Sequence, residues 1–165
     1  MVSAVCDGAD GMAHPAANAR TVTHKELIVR AARWLKGSKG CSVVLTELVT
    51  AAGEIPDSIG WKGSVSTLVE CKTSRADFLR DKEKGSRLAG INMGQHCYYL
   101  VPPGLITKEE TPAYWGLLEC HPRMIKVIKK SGGRPLLSID DHRATFARQK
   151  REVIMLVSAL RRRGL

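Results

Sequence analysis

Two short stretches near the middle of the chain hold the residue types that phosphodiester hydrolysis needs: Ile55-Pro56-Asp57 and, further on, Glu70-Cys71-Lys72. Two carboxylates at the ends of paired strands can hold a divalent cation such as Mg²⁺ or Mn²⁺ through hard oxygen donors. Side chains of a strand alternate sides with period two, so Glu70 and Lys72 share one side while Cys71 faces the other. A bound metal would polarise a phosphoryl oxygen and lower the pKa of a bound water. Lys72 would orient that water or stabilise the negative charge added as the phosphate becomes pentacovalent. Without a metal, two facing carboxylates repel and one pKa rises.

The elements needed to position these residues are legible on either side. Thr23-His24-Lys25-Glu26 has the form of a capping box, and Leu27, Ile28, Ala31, Trp34 and Leu35 recur at helical spacing up to Gly37 and Gly40. Cys41 to Glu47 is short, apolar and β-branched, which predicts a strand. Glu54 to Lys72 reads as a hairpin: a short arm around Ile55 to Ile59, turn residues Gly60-Trp61-Lys62-Gly63, and a longer arm from Val65 to Lys72. Asp57 on the short arm would then face Glu70 on the long one. Ser74-Arg75-Ala76-Asp77 starts a second helix through Phe78 and Leu79 towards Gly85, with Ser74 as its N-cap. Cys97 to Val101 predicts a strand stopped by Pro102-Pro103-Gly104. Trp115–Cys120 and Met124–Lys130 predict a further strand pair, and a C-terminal helix begins near Ser138. That helix is expected to pack Phe146, Ala147, Val153, Ile154, Val157 and Leu160 inward and to expose a basic side. The first 20 residues, rich in Ala, Gly and Asp, read as a flexible tail, leaving one domain over 21–165. The class is α/β.

Bulk properties narrow the partner. Lys and Arg outnumber Asp and Glu by 26 to 16, a formal charge of +10 with a pI near 9.7. Such a balance suits nucleic acid through counterion release. No apolar run of about 18 residues predicts a membrane span, and no secretory signal is evident. The five scattered cysteines form no C-x-x-C pair, so they read as small buried hydrophobes of a cytoplasmic protein rather than as a zinc or disulfide framework.

Pro56-Asp57 followed by Glu70-Cys71-Lys72 resembles the PD-(D/E)XK nuclease superfamily, and the order of elements from Thr23 to Val101 resembles its restriction-endonuclease-like αβββαβ core. The resemblance implies a mixed central sheet flanked by helices, here with an extra strand pair and a basic C-terminal helix. It implies that Asp57 and Glu70 bind the metal and that Lys72 is the catalytic lysine. Members often add one more acid, for which Glu47 and Glu26 compete; Glu47 is favoured because Glu26 already serves the capping box. The activity implied is metal-dependent hydrolysis of nucleic acid, DNA first; the oligomeric state stays open, although a domain this small often needs a second copy, as a homodimer, to cut both strands. The alternative is a non-catalytic nucleic-acid-binding or regulatory module on the same fold. Gln95 to Tyr99 spells the Q-x-x-x-Y of an exonuclease subgroup, but it enters a strand rather than a helix.

Other residues carry competing readings. Singly, Asp57 is a turn-capping aspartate and Glu70 with Lys72 an exposed cross-strand ion pair. Asp77 and Asp81 could extend the metal site; a helix cap and a surface ion pair of Asp81 with Arg80 or Lys84 are the plainer expectation. His24, His96, His121 and His142 show no ligand spacing and read as loop or surface histidines. Of Tyr98 and Tyr99, one ring is expected in the core. Trp61, in its glycine-flanked turn, is either an exposed binding aromatic or a staple over the sheet. Arg75, Arg80, Lys82, Lys84 and Arg87, with Lys126, Lys129, Lys130 and Arg134, are candidate phosphate contacts.

Overall fold

Thr23 Oγ1 accepts a hydrogen bond from the Glu26 backbone N–H at 3.2 Å, and the Glu26 carboxylate accepts one from the Thr23 N–H at 2.8 Å. This capping box satisfies donors that a helix start otherwise leaves bare. It opens helix α1, His24–Gly37, whose buried residues are Leu27, Ile28, Ala31, Trp34 and Leu35, the set given by the 3.6-residue period. The computed structural model describes residues 22–48, 55–84, 93–133 and 139–164. The expected N-terminal tail and the cations Arg87 and Arg134 lie outside the described residues.

After α1 come β1 (Val43–Thr46), β2 (Ser58–Lys62), β3 (Val65–Cys71), α2 (Arg75–Lys82), β4 (His96–Val101), β5 (Trp115–Cys120), β6 (Ile125–Lys129) and α3 (Ile139–Arg162). The six strands form one sheet in chain order. Strands β1–β2, β2–β3 and β5–β6 pair antiparallel, whereas β3–β4 and β4–β5 pair parallel. A parallel pair needs a crossover rather than a tight turn, and α2 lies in the one between β3 and β4. The fold is therefore α/β, with a six-stranded mixed sheet and three helices among the described residues. No described helix is long and apolar enough to cross a membrane.

Strand alternation sorts the core into two layers. Val69, Cys71, Tyr98, Leu100 and Leu118 pack under α1 with Leu27, Trp34 and Leu35. Leu68, Tyr99, Val101, Trp115 and Leu117 form the opposite layer with Phe78 of α2 and Met155 of α3. Both adjacent tyrosines are buried, one per layer, rather than one alone: Tyr98 meets Trp34 edge-on at 5.3 Å and Tyr99 stacks on Trp115 at 4.4 Å. Each fully buried large apolar side chain contributes about 1.5–3 kcal/mol.

Two expectations are corrected. Gly60 and Trp61 are not turn residues; they lie within β2, and the turn falls at Gly63, where φ is +59°. Gly60 is there for space, since a Cβ on it would sit 2.9 Å from Cys41 Sγ. Trp61 is 7% exposed, and its indole N–H donates to Glu152 Oε2 at 3.2 Å, so it is a core residue and not a surface aromatic. The second correction concerns α3, where only Ala147 and Ile154 of the expected inward set are half-buried and the basic side exposes Arg143 and Lys150 but not Arg148. Arg148, Glu152 and Met155 point inward, while Phe146, Val153, Val157 and Leu160 are exposed.

The reason for that orientation is polar. Glu152 accepts from Trp61 Nε1, from Ser66 Oγ at 2.9 Å and from the Gly94 N–H at 2.9 Å, joining β2, β3 and the approach to β4. Three buried donors converge on one carboxylate, and a helix turned apolar-side inward would leave all of them unpaired. Glu152→Ala should therefore lower the urea-unfolding free energy by about 2–4 kcal/mol, and Glu152→Gln by about 1–2 kcal/mol. Equal, near-zero losses for both variants would show that α3 is not held by this carboxylate.

Candidate active site

Strand β3 carries Leu68, Glu70 and, one residue past its end, Lys72 on the α2 side, while Val69 and Cys71 pack under α1. The Lys72 N–H donates to the Leu100 carbonyl at 3.0 Å, so the backbone stays strand-like through this position. Glu70 is 4% exposed and Lys72 5% exposed, which removes the reading of an exposed surface pair. Lys72 Nζ lies 3.4 Å from Glu70 Oε2 and 3.4 Å from Asp81 Oδ1. Burial works against the ammonium, but the carboxylates of Glu70, Asp81, Asp57 and Asp77 outweigh it and hold its pKa above that of an ordinary lysine. A lysine raised on folding contributes stability that is complete below its unfolded pKa and lost as pH rises through its folded one. Lys72 is thus charged throughout the neutral range.

Asp81 is a member of this cluster that sequence reasoning placed at the surface. It is buried, 1% exposed, and its carboxylate also takes Lys84 Nζ at 2.7 Å and the Tyr99 hydroxyl at 2.9 Å. A signal existed. Asp81 follows Phe78 by three residues, so it shares the helix face that Phe78 commits to the core. The expected partner Lys84 is correct; the expected exposure is not.

Asp57 sits just before β2. The hairpin register pairs Ser58 with Val69, so the next positions outward bring Asp57 opposite Glu70. Its Oδ2 accepts the Cys71 N–H at 2.7 Å, and its Oδ1 lies 3.2 Å from His24 Nε2. His24, read from sequence as a plain surface histidine, is thereby brought to the site by the first turn of α1. The Asp57 carboxyl is pushed above its ordinary value by burial, with the Cys71 N–H, Lys72 and His24 pulling it back and Asp81 adding to the rise. The Cys71 thiol is pushed well up by burial and then by Asp57 and Glu70, which keeps it protonated and chemically inert.

The remaining sequence candidates fall in different places. Glu47 follows β1 with φ +45°, and its N–H donates to the carbonyls of Pro56 and Asp57 at 3.2 and 3.3 Å. Its backbone is therefore beside Asp57, while its side chain is exposed. Glu26 is held by the capping box. Arg75 is bound by both carboxylate oxygens of Glu110, one of them at 3.2 Å, and that hydrogen bonding draws Glu110 down to about 2. Arg80 lies 3.9 Å from Asp77, Lys82 is half-buried, and Lys84 is taken by Asp81. Ser74 is an N-cap, accepting from the Asp77 N–H at 3.2 Å. Gln95 precedes β4 and Tyr99 lies within it, where Tyr99 serves Asp81 rather than a helix-borne motif.

Among the described residues no group of three or more His, Cys, Asp or Glu comes together as a ready metal cage. Mg²⁺ does not require one, since it commonly takes one or two carboxylates and keeps several waters. Asp57 and Glu70 carry hard oxygen donors at opposed backbone positions, with the Asp57 carboxylate turned to the Cys71 N–H and His24. Carboxylate oxygens are donors of the kind that Mg²⁺ takes.

No family model and no curated protein matches the chain. Among solved structures it is similar to the SPO1766 protein of unknown function from Silicibacter pomeroyi, at 25% identity over 82% of this chain and 85% of that one, with a TM-score of 0.58. The likeness spans most of both chains and agrees with the α/β architecture.

Asp81 and Tyr99 are predicted to act as one unit. Asp81→Asn should cost about 2–3 kcal/mol in urea unfolding and Tyr99→Phe about 1 kcal/mol, with the double variant costing less than the sum by about 0.5 kcal/mol or more. Strict additivity would mean that the hydroxyl does not stabilise the carboxylate.

Proposed function

We propose that this chain is a metal-dependent nuclease of the PD-(D/E)XK type, hydrolysing phosphodiester bonds in DNA. The reading rests on one observation above all. The hairpin brings Asp57 opposite Glu70, and Lys72 stands on the Glu70 side with its charged ammonium fixed between buried carboxylates. The order α1, β1, β2, β3, α2, β4 supports a restriction-endonuclease-like core, with β5, β6 and α3 added to it.

In this reading Asp57 and Glu70 hold Mg²⁺ or Mn²⁺, and Glu47 supplies a further oxygen from the end of β1. When bound, the metal provides a polarised phosphoryl oxygen and an acidified water. The chain's own contribution is positioning. The Cys71 N–H holds one Asp57 oxygen, so that carboxylate keeps its orientation before substrate arrives. Lys72, held by Glu70 and Asp81, places a fixed positive charge where negative charge develops. Burial of the cluster strengthens that interaction relative to water.

Asp57→Asn tests the assignment with the fold kept, because its amide oxygen still accepts the Cys71 N–H. Purified wild-type protein should cleave labelled DNA with Mg²⁺ or Mn²⁺, and the variant should be slower by about a hundredfold or more with an unchanged urea midpoint. Wild-type cleavage rates in Asp57→Asn would end the mechanism. The burial of Lys72 also suits a non-catalytic nucleic-acid-binding module, in which it only neutralises Glu70 and Asp81. Calorimetric Mn²⁺ titration separates the two: heat of binding lost in Asp57→Asn favours the nuclease, and no heat in either protein favours the module.

A further inference from the structure

On the α1 side of the sheet an open groove of about 1600 Å³ runs between α1 and the turn joining β5 to β6. One end lies against the candidate site. Thr73, which lines the groove, directly follows Lys72, and Lys25, also in the lining, directly follows His24, the residue on Asp57.

The lining combines cationic and apolar side chains with one carboxylate, Glu26, which the Thr23 capping box holds. Lys25, Arg30 and Arg33 reach it from α1 and Arg123 from the opposite turn. None of these four cations forms an ion pair among the described residues. Between them lie apolar side chains that the fold leaves open to solvent: Val29 is 49% exposed and Met124 59% exposed, with Pro102, Pro103 and Leu105 alongside. The α2 cations expected to track phosphates are different, because Arg75 and Lys84 are already engaged by Glu110 and Asp81.

We infer that this groove binds a single strand of nucleic acid and leads it to the candidate active site. A polyanion satisfies these four cations, which have no ion-pair partner among the described residues, through counterion release. The apolar wall decides the strand form. A duplex buries its base faces in its own stack and offers phosphates and groove edges, so Val29, Met124 and the prolines would gain nothing from it. A single strand offers phosphates and unstacked base faces together. Arg30 and Arg33, one helical turn apart on α1, face Arg123 across the groove, so cations flank the backbone on both sides.

This inference rests on the nuclease reading for its direction towards Lys72, but the two fail separately. The test is fluorescence anisotropy with one labelled oligonucleotide as single-stranded DNA, as single-stranded RNA and as duplex DNA, in EDTA so that no cleavage occurs. Full-length protein should bind the DNA single strand about tenfold or more tighter than the duplex. Arg33→Glu and Arg123→Glu, both at exposed positions, should each weaken single-strand binding by about tenfold and reduce its salt dependence. Met124→Ser should narrow the preference over duplex while leaving that salt dependence unchanged. Equal binding of single-stranded RNA supports the groove and widens the ligand to either nucleic acid. Wild-type binding in both charge-reversal variants, or tighter binding of the duplex, overturns the groove. Cleavage of DNA by those variants at wild-type rates and affinity would sink the groove and leave the nuclease standing. Single-strand binding lost in the variants by a protein that never cleaves would do the reverse.

Discussion

The Lys72 ammonium, buried between Glu70 and Asp81, is the interaction on which the middle of this fold depends. Breaking a buried ion pair costs several kcal/mol because the surviving charge has no solvent. Three ionised groups therefore have to reach their places together. Helix α2 buries only Phe78 and Asp81, too little apolar surface to dock it firmly on hydrophobic contact alone. Its carboxylate, gripped by Lys72 from β3, Tyr99 from β4 and Lys84 from just past its own end, ties the crossover to the two parallel strands it connects. The same contacts that stabilise the crossover also fix the candidate catalytic lysine.

A second buried carboxylate shows what a purely architectural acid looks like here. Glu152 is met by an indole N–H, a hydroxyl and a backbone N–H, all neutral donors, and anchors α3 to the sheet. Asp57 is arranged differently. It spends one oxygen on the Cys71 N–H, turns the other towards His24, and keeps an electrostatic share in Lys72. A carboxylate saturated by neutral donors has little left for a ligand, whereas Asp57 is held by one backbone donor and has titratable neighbours. The contrast separates an architectural acid from the candidate site acid.

What was legible in the sequence follows the range of the forces involved. Helix α1 was readable to the residue, because capping and the 3.6-residue period act within four positions. The facing of Glu70, Cys71 and Lys72 was readable because a strand has only two sides. Gly60 misled, since its space is demanded by Cys41, just before the neighbouring strand, rather than by a turn. The orientation of α3 was invisible, since it is decided by donors on Trp61 and Ser66, 91 and 86 residues away from Glu152. Asp81 fell between these cases: its helix face was readable from Phe78, but its three partners come from different elements. Half of the candidate site was thus written locally and half assembled by tertiary contact.

The charge of the chain acquires a direction from the same contacts. A formal +10 says only that cations outnumber anions, and a few of those cations are engaged by carboxylates. On the α2 side Arg75, Arg80 and Lys84 have carboxylates at hand, so their field is largely cancelled near the surface. On the α1 side Lys25, Arg30, Arg33 and Arg123 surround a groove and have no such partners among the described residues. A concave, low-dielectric wall focuses the potential of charges like these, whereas the same number spread over a convex helix loses it to solvent. The end of β3 is where both sides meet, with Glu70 and Lys72 turned to α2 and Asp57 reached by His24 from α1. An anionic chain drawn by the unpaired field would therefore arrive at that edge from the α1 side, and meet Asp57 before Lys72.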